Sequence, residues 1–170
     1  MSTIYTIGYE GTVIDRFVET LRLVGIQVLA DVQAVPRSRK KGFSKAKLKA
    51  RMEVEGISYI HFGELGDPKP GREAARAGQY DEFRRVYTEH LNSPDSQAAL
   101  ATLADIARER PTCLLCFERD PKLCHRSIVA ERLRGRQLEI LDLYDSLPVS
   151  YVGHKAKLPR RYLGESITAA

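Results

Sequence analysis

From Pro111 to Leu133 the chain reads P-T-C-L-L-C-F-E-R-D-P-K-L-C-H-R-S-I-V-A-E-R-L, and the fold turns on this stretch. The apolar run Cys113 to Phe117 is too short for a helix and is bounded by Pro111 and by Asp120-Pro121. It therefore reads as a buried strand, with Glu118 at its carboxyl end. Asp120 before Pro121 is a helix-start signal, because a carboxylate can cap orphan amides and the fixed φ of proline suits a first turn. Cys124, His125 and Arg126 are then expected in or near the first turns of that helix. Its apolar stripe is Val129, Ala130 and Leu133, and Arg126 belongs to the same stripe. A guanidinium aimed at the core needs a partner, since an unpaired buried charge costs several kcal/mol. The expected partner is Glu118 or an anionic ligand.

Upstream, Thr3 to Gly8 reads as a strand. Val13 to Val24 has helical spacing through Ile14, Phe17, Val18, Leu21 and Val24, with Gly25 as the stop. Gln27 to Val32 is a second, nearly all-apolar strand, broken by Asp31 near its end. Strand, helix, strand with apolar strands implies parallel pairing with both faces covered. A helix capped by Ser44 is expected over Lys45 to Val54, then a strand from Ile57 to Phe62. Gly63 to Gly78, with Pro68, Pro70, Gly66 and Gly71, reads as a long irregular connection. Helices over Tyr80 to Leu91 and Ser96 to Arg108 precede the opening stretch, and Gln137 to Leu143 reads as a last strand. The expectation is a three-layer α/β domain over residues 1–143, with a mostly parallel sheet of about five strands and helices on both faces. Residues 144–170 form a basic extension, expected to pack on the surface, to be partly mobile, or to join a second copy in a homodimer.

A hydrophobic share of 43% with 29% charged residues belongs to a folded chain and argues against disorder. The net charge of +5 is concentrated: Arg37, Arg39, Lys40, Lys41, Lys45, Lys47, Lys49 and Arg51 follow one another without an intervening acid. Cations around Phe43 suit phosphate contact and base stacking, against the plainer alternative of a solvated helix face. Three cysteines do not make a disulfide framework and fit a reducing compartment. With no span or signal-peptide pattern, a cytoplasmic protein without membrane contact is expected.

In open α/β sheets ligands bind at the carboxyl ends of the strands. That rule gathers Gly8 and Tyr9, Asp31 with the loop after it, and Glu118 with Cys124, His125 and Arg126 on one rim. Asp31, Glu118, His125 and Cys124 are the candidate catalytic residues, for acid-base or nucleophilic work. Gly8, Tyr9, Arg37, Ser38, Phe43, Ser44 and Arg126 are the candidate substrate- and anion-binding residues. A thiol near a helix start beside Arg126 has its thiolate favoured, but a small buried filler explains Cys124 equally well. Zinc held by Cys113 and Cys116 fails on geometry, because residues three apart on a strand face opposite sides. A set of Cys116, Cys124, His125 and a carboxylate stays open, but no metal or cofactor is expected.

T-I-G-Y-E-G at Thr6 to Gly11, the D-V-x-x-x-P-x-S pattern at Asp31 to Ser38, F-S at Phe43-Ser44, G-I-x-Y at Gly56 to Tyr59, L-G at Leu65-Gly66 and L-L-C-F-E-x-D-P-x-x-C-H-R at Leu114 to Arg126 occur in this order. The chain resembles the domain of unknown function 488 family over Thr3 to about Leu143. The resemblance implies a small α/β protein of the bacterial and archaeal kind, in a family with an occasional DNA-repair label. Gln33 departs from the D-V-R pattern common in the family; if that arginine binds an anion, the task passes to Arg37.

The leading expectation is an enzyme acting on a phosphate-bearing substrate, nucleotide or nucleic acid, by hydrolysis. Arg126 would hold the anion, Glu118 or Asp31 would act as base, and His125 as acid or ligand orienter. One alternative is a non-catalytic nucleic-acid-binding module using residues 36–51. Another is a thiol redox or sulfur-handling protein using Cys116 and Cys124.

Overall fold

The computed structural model describes residues 2–145. Five strands, β1 (Ser2–Gly8), β2 (Val28–Asp31), β3 (Ser58–His61), β4 (Thr112–Cys116) and β5 (Leu138–Leu143), form one sheet in the order β3-β2-β4-β1-β5. Every pairing is parallel, with Gly8 opposite Cys116 and Asp31 opposite Leu115. The central strands β2, β4 and β1 therefore end side by side. The expected three-layer α/β fold with helices on both faces is the observed one.

Alternation along the strands supplies both faces. Tyr5, Ile7, Leu29, Cys113 and Leu115 point to the side covered by α1 (Ile14–Val24) and α2 (Lys45–Val54), through Phe17, Val18, Leu21, Leu48 and Met52. Ile4, Ala30 and Leu114 point to the side covered by α3 (Lys69–Arg76), α4 (Tyr80–Leu91), α5 (Pro94–Glu109) and α6 (Arg126–Arg134). Period two in the strands and the helical stripes thus meet in two cores, one on each face.

Most element ends fall within two residues of expectation, as with α5 at Pro94–Glu109, and the larger differences lie in two connections. Gly63 to Gly78 is not irregular throughout: a 3-10 turn at Gly63–Leu65 and the helix α3 occupy most of it. Its prolines and glycines suit a helix start, since Pro70 sits in the first turn and Gly71 lets the helix approach Asp67. Asp120 does cap, accepting a hydrogen bond from the Lys122 amide at 2.9 Å, but what it caps is a 3-10 turn, Pro121–Leu123. Cys124 is extended, with φ of −132° and ψ of 145°, and α6 begins only at Arg126. Ser44 stands at the N-cap of α2 without making a side-chain capping bond.

Among the described residues no helix is long and apolar enough to cross a membrane. The expected homodimer contact through 144–170 falls almost entirely outside the described residues.

Candidate functional site

Cys116 is the last residue of β4, and its side chain points to the α6 side, opposite to Cys113. The extended link at Cys124 and the N-cap position of His125 turn both side chains back toward it. Cys116 Sγ lies 3.7 Å and Cys124 Sγ 3.9 Å from His125 Nδ1. Ligand atoms of all three residues fall within 4.8 Å of one another, and all three are buried. Around a tetrahedral zinc, with metal–sulfur bonds of about 2.3 Å and metal–nitrogen bonds of about 2.0 Å, sulfur and nitrogen stand roughly 3.6 Å apart. The observed spacing matches.

The imidazole is aimed. His125 Nε2 is 2.6 Å from the Val32 carbonyl, and Tyr87 packs edge-on against the ring at 5.3 Å between centroids. A carbonyl can only accept, so Nε2 carries a proton and Nδ1 is the nitrogen presented to the sulfurs. Burial opposes a charged ring here, but the Cys124 sulfur, the Val32 carbonyl and the Asp67 carboxylate outweigh it and raise the His125 pKa to about 9. Burial, with the adjacent Cys116 sulfur, pushes the Cys124 thiol well above its ordinary range. The Cys116 thiol donates to Glu118 Oε2 at 3.2 Å.

Cys116, Glu118 and His125 border a cavity of about 330 Å³, whose other walls include Gln33, Arg37, Asp67, Arg72 and Arg76. Asp67 is 6% exposed, and its Oδ1 has no hydrogen-bond partner among the described residues. Burial, partly offset by His125 and Arg72, pushes its carboxyl up to about 6. A Cβ on Gly71 would stand 2.1 Å from Asp67 Oδ1, so glycine at that point of α3 is what leaves room for the acid.

Of the catalytic candidates, Glu118 and His125 line this cavity and Cys124 adjoins it through His125. Asp31 stands apart. It is buried, accepting from Tyr59 Oη at 2.5 Å and from the amide and side chain of Gln33 at 3.0 and 3.1 Å. Gln33 in turn accepts from Tyr9 at 3.2 Å, so a neutral side chain ties Asp31 into a network where an arginine would bring a charge. Burial, reinforced by the Asp31 carboxylate, raises the Tyr59 pKa, which keeps the phenol a donor.

Of the binding candidates, only Arg37 lines the cavity. Arg126 is 0% exposed and each of its three side-chain nitrogens donates inside the protein: Nε to Thr6 Oγ1 at 3.2 Å, one terminal nitrogen to the Glu118 carbonyl, the other to the Arg119 carbonyl at 3.0 Å. Its partner at residue 118 is thus the main chain and not the carboxylate, and the expected anion-binding role is corrected to a structural one. Phe43 is buried, stacked on Tyr9 at 4.8 Å, so no base stacks on it. Gly8 serves packing, because a Cβ there would fall 1.8 Å from the Glu118 carbonyl oxygen. Ser38 accepts from the Lys40 amide at 3.1 Å.

Cys116, offered by the sequence only in the open metal set and the thiol alternative, is joined at the cavity by Asp67, Arg72 and Arg76, which the candidate set lacks. The last three lie in a segment whose composition reads as loop, and only the four-residue spacing of the two arginines hinted at a shared helix face. No curated protein and no solved structure matches the chain. The family model described as "Domain of unknown function DUF488" matches residues 13–133, most of the chain, and the protein belongs to that family.

Proposed function

We propose that the sulfur cluster carries the chemistry: Cys116, Cys124 and His125 hold a zinc-class divalent ion at the floor of the cavity, and the protein is a metal-dependent hydrolytic enzyme. The observation behind this reading is the convergence of two sulfurs and an oriented Nδ1 at ligand spacing. Three protein ligands leave a fourth position, the arrangement typical of catalytic zinc sites. Such an ion would supply Lewis acidity and lower the pKa of a water molecule.

The surrounding residues have definite tasks. The Val32 carbonyl fixes the imidazole tautomer and ring plane. Glu118, on the cavity wall beside Cys116, is outside the three-residue ligand set and accepts the proton of an attacking water, then returns it to the leaving group. Thiolate and imidazole donors select zinc or a similar borderline-soft ion over magnesium or calcium.

A second reading, thiol chemistry without metal, is favoured by the way Cys116 both faces His125 and borders the cavity. One experiment separates the two. Titration of reduced protein with zinc, or with cobalt(II) followed by its absorption spectrum, is expected to show one site with Kd below about 1 μM. Cys116→Ser and Cys124→Ser weaken it at least tenfold. Affinity weaker than about 10 μM, or affinity unchanged in both variants, sinks the metal reading and leaves the thiol one.

A further inference from the structure

Three arginines converge on the cavity: Arg37 from the loop after β2, and Arg72 and Arg76 from α3. Among the described residues none of them has a carboxylate within ion-pair distance, although exposed arginines elsewhere, such as Arg85, Arg108 and Arg134, do. Arg72 donates one bond from a terminal nitrogen to the Asp67 main-chain carbonyl at 2.6 Å, which anchors one end of the guanidinium, and its other N–H groups make no hydrogen bond among the described residues. Of the acids on the same walls, Glu118 accepts from the Cys116 thiol, while Asp67 lies between His125 and Arg72 and burial holds its carboxyl up to about 6, its buried oxygen unpartnered among the described residues. A planar guanidinium fits carboxylate and phosphate oxygens in pairs. A cavity of about 330 Å³ accepts a small molecule.

We infer that Arg37, Arg72 and Arg76 form an oxyanion subsite that holds the carboxylate or phosphate group of a small substrate, with its reacting end directed toward Cys116 and His125. This names the substrate class for the metal reading and rests on that reading for the reacting end only; the anion contact is independent of the ion. It also moves the anion role expected of Arg126 to residues that border open space.

The test is calorimetric titration of the full-length protein with inorganic phosphate and, separately, with acetate, at constant ionic strength so that screening does not change. Each is run on zinc-loaded and on chelator-treated protein. The wild type is expected to bind at least one of the two saturably, with the stronger binder showing a Kd of about 1 mM or tighter, in both metal states. Arg37→Gln with Arg76→Gln weakens this at least tenfold. Neither side chain makes a hydrogen bond or ion pair among the described residues, so an unchanged thermal melt is expected for the double variant. Arg72→Gln, measured alone, weakens binding as well. Whichever ion binds more tightly identifies the anionic group. Equal affinity in wild type and double variant, or no saturable binding of either ion, overturns the subsite. Binding that vanishes on chelation places the anion on the metal, which overturns the subsite while sustaining the metal reading. Anion binding that persists in a protein showing no zinc affinity keeps the subsite and removes only the metal.

Discussion

A buried guanidinium needs partners inside the protein, and Arg126 has one for each nitrogen, a threonine hydroxyl and two carbonyls. Thr6 completes the relay by donating to Asp142 Oδ1 at 2.5 Å, so a carboxylate offsets the charge through one hydroxyl. The interaction ties the end of β4 to α6 and fixes the loop that carries Glu118. Asp67 is the opposite case, an acid whose burial outweighs its partners. Its folded pKa of about 6 lies above the usual carboxylate value, so the folded state binds the proton more tightly. The sign follows: the protonated acid carries no penalty at low pH, and stability is lost as pH rises from about 4 through 6. Asp67→Asn removes that dependence. It is expected to match the wild type near pH 4 and to be more stable at pH 7.5 by about 1–2 kcal/mol, read from urea unfolding at the two pH values. A stability difference that does not grow with pH would contradict the assignment.

The segment between β4 and α6 brings the proposed ligand set together at a strand end. Asp120 caps a single 3-10 turn, Cys124 is extended, and α6 then starts, so the chain changes direction twice within a few residues. Each change turns a side chain toward Cys116. A regular helix running from Pro121 would carry Cys124 and His125 around its surface at 100° per residue and separate them. Asp120→Ala therefore acts on both stability and site. Unfolding measurements are expected to show a loss of about 0.5–1 kcal/mol, the usual effect of removing an exposed cap. Zinc affinity is expected to fall several-fold alongside, because the turn no longer holds Cys124 in place. Retained zinc affinity in this variant would mean that the ligand set is positioned by α6 alone.

Across the molecule the sheet acts as a partition. Cys113 and Cys116 are close in the chain, yet one belongs to the core under α1 and α2 and the other to the site beside α6. Cys113→Ala is expected to cost about 1 kcal/mol of stability through lost packing and to leave zinc affinity unchanged. Cys116→Ala should do the reverse, with metal binding lost. A zinc site disturbed by the Cys113 substitution would mean that the partition is not maintained in solution.

How much of this was legible beforehand depends on the range of the interaction involved. Strands, parallel pairing, the Asp120 cap and the Arg126 stripe follow from near neighbours in the chain, through side-chain period, capping chemistry and turn residues, and the opposite facing of Cys113 and Cys116 follows from the pleat. The helix α3 escaped because Pro70 and Gly71 carry the same composition in a loop as in a helix start packed against Asp67; only the contact tells them apart. The partner of Arg126, the saturation of Asp31 and the gathering of Arg37, Arg72 and Arg76 depend on groups tens of residues away. Local sequence thus settled the five strands and their parallel pairing, because backbone geometry is set residue by residue. Which polar groups face the cavity and which are spent inside the protein was settled only by tertiary packing, since a donor has no fate until the chain brings it an acceptor.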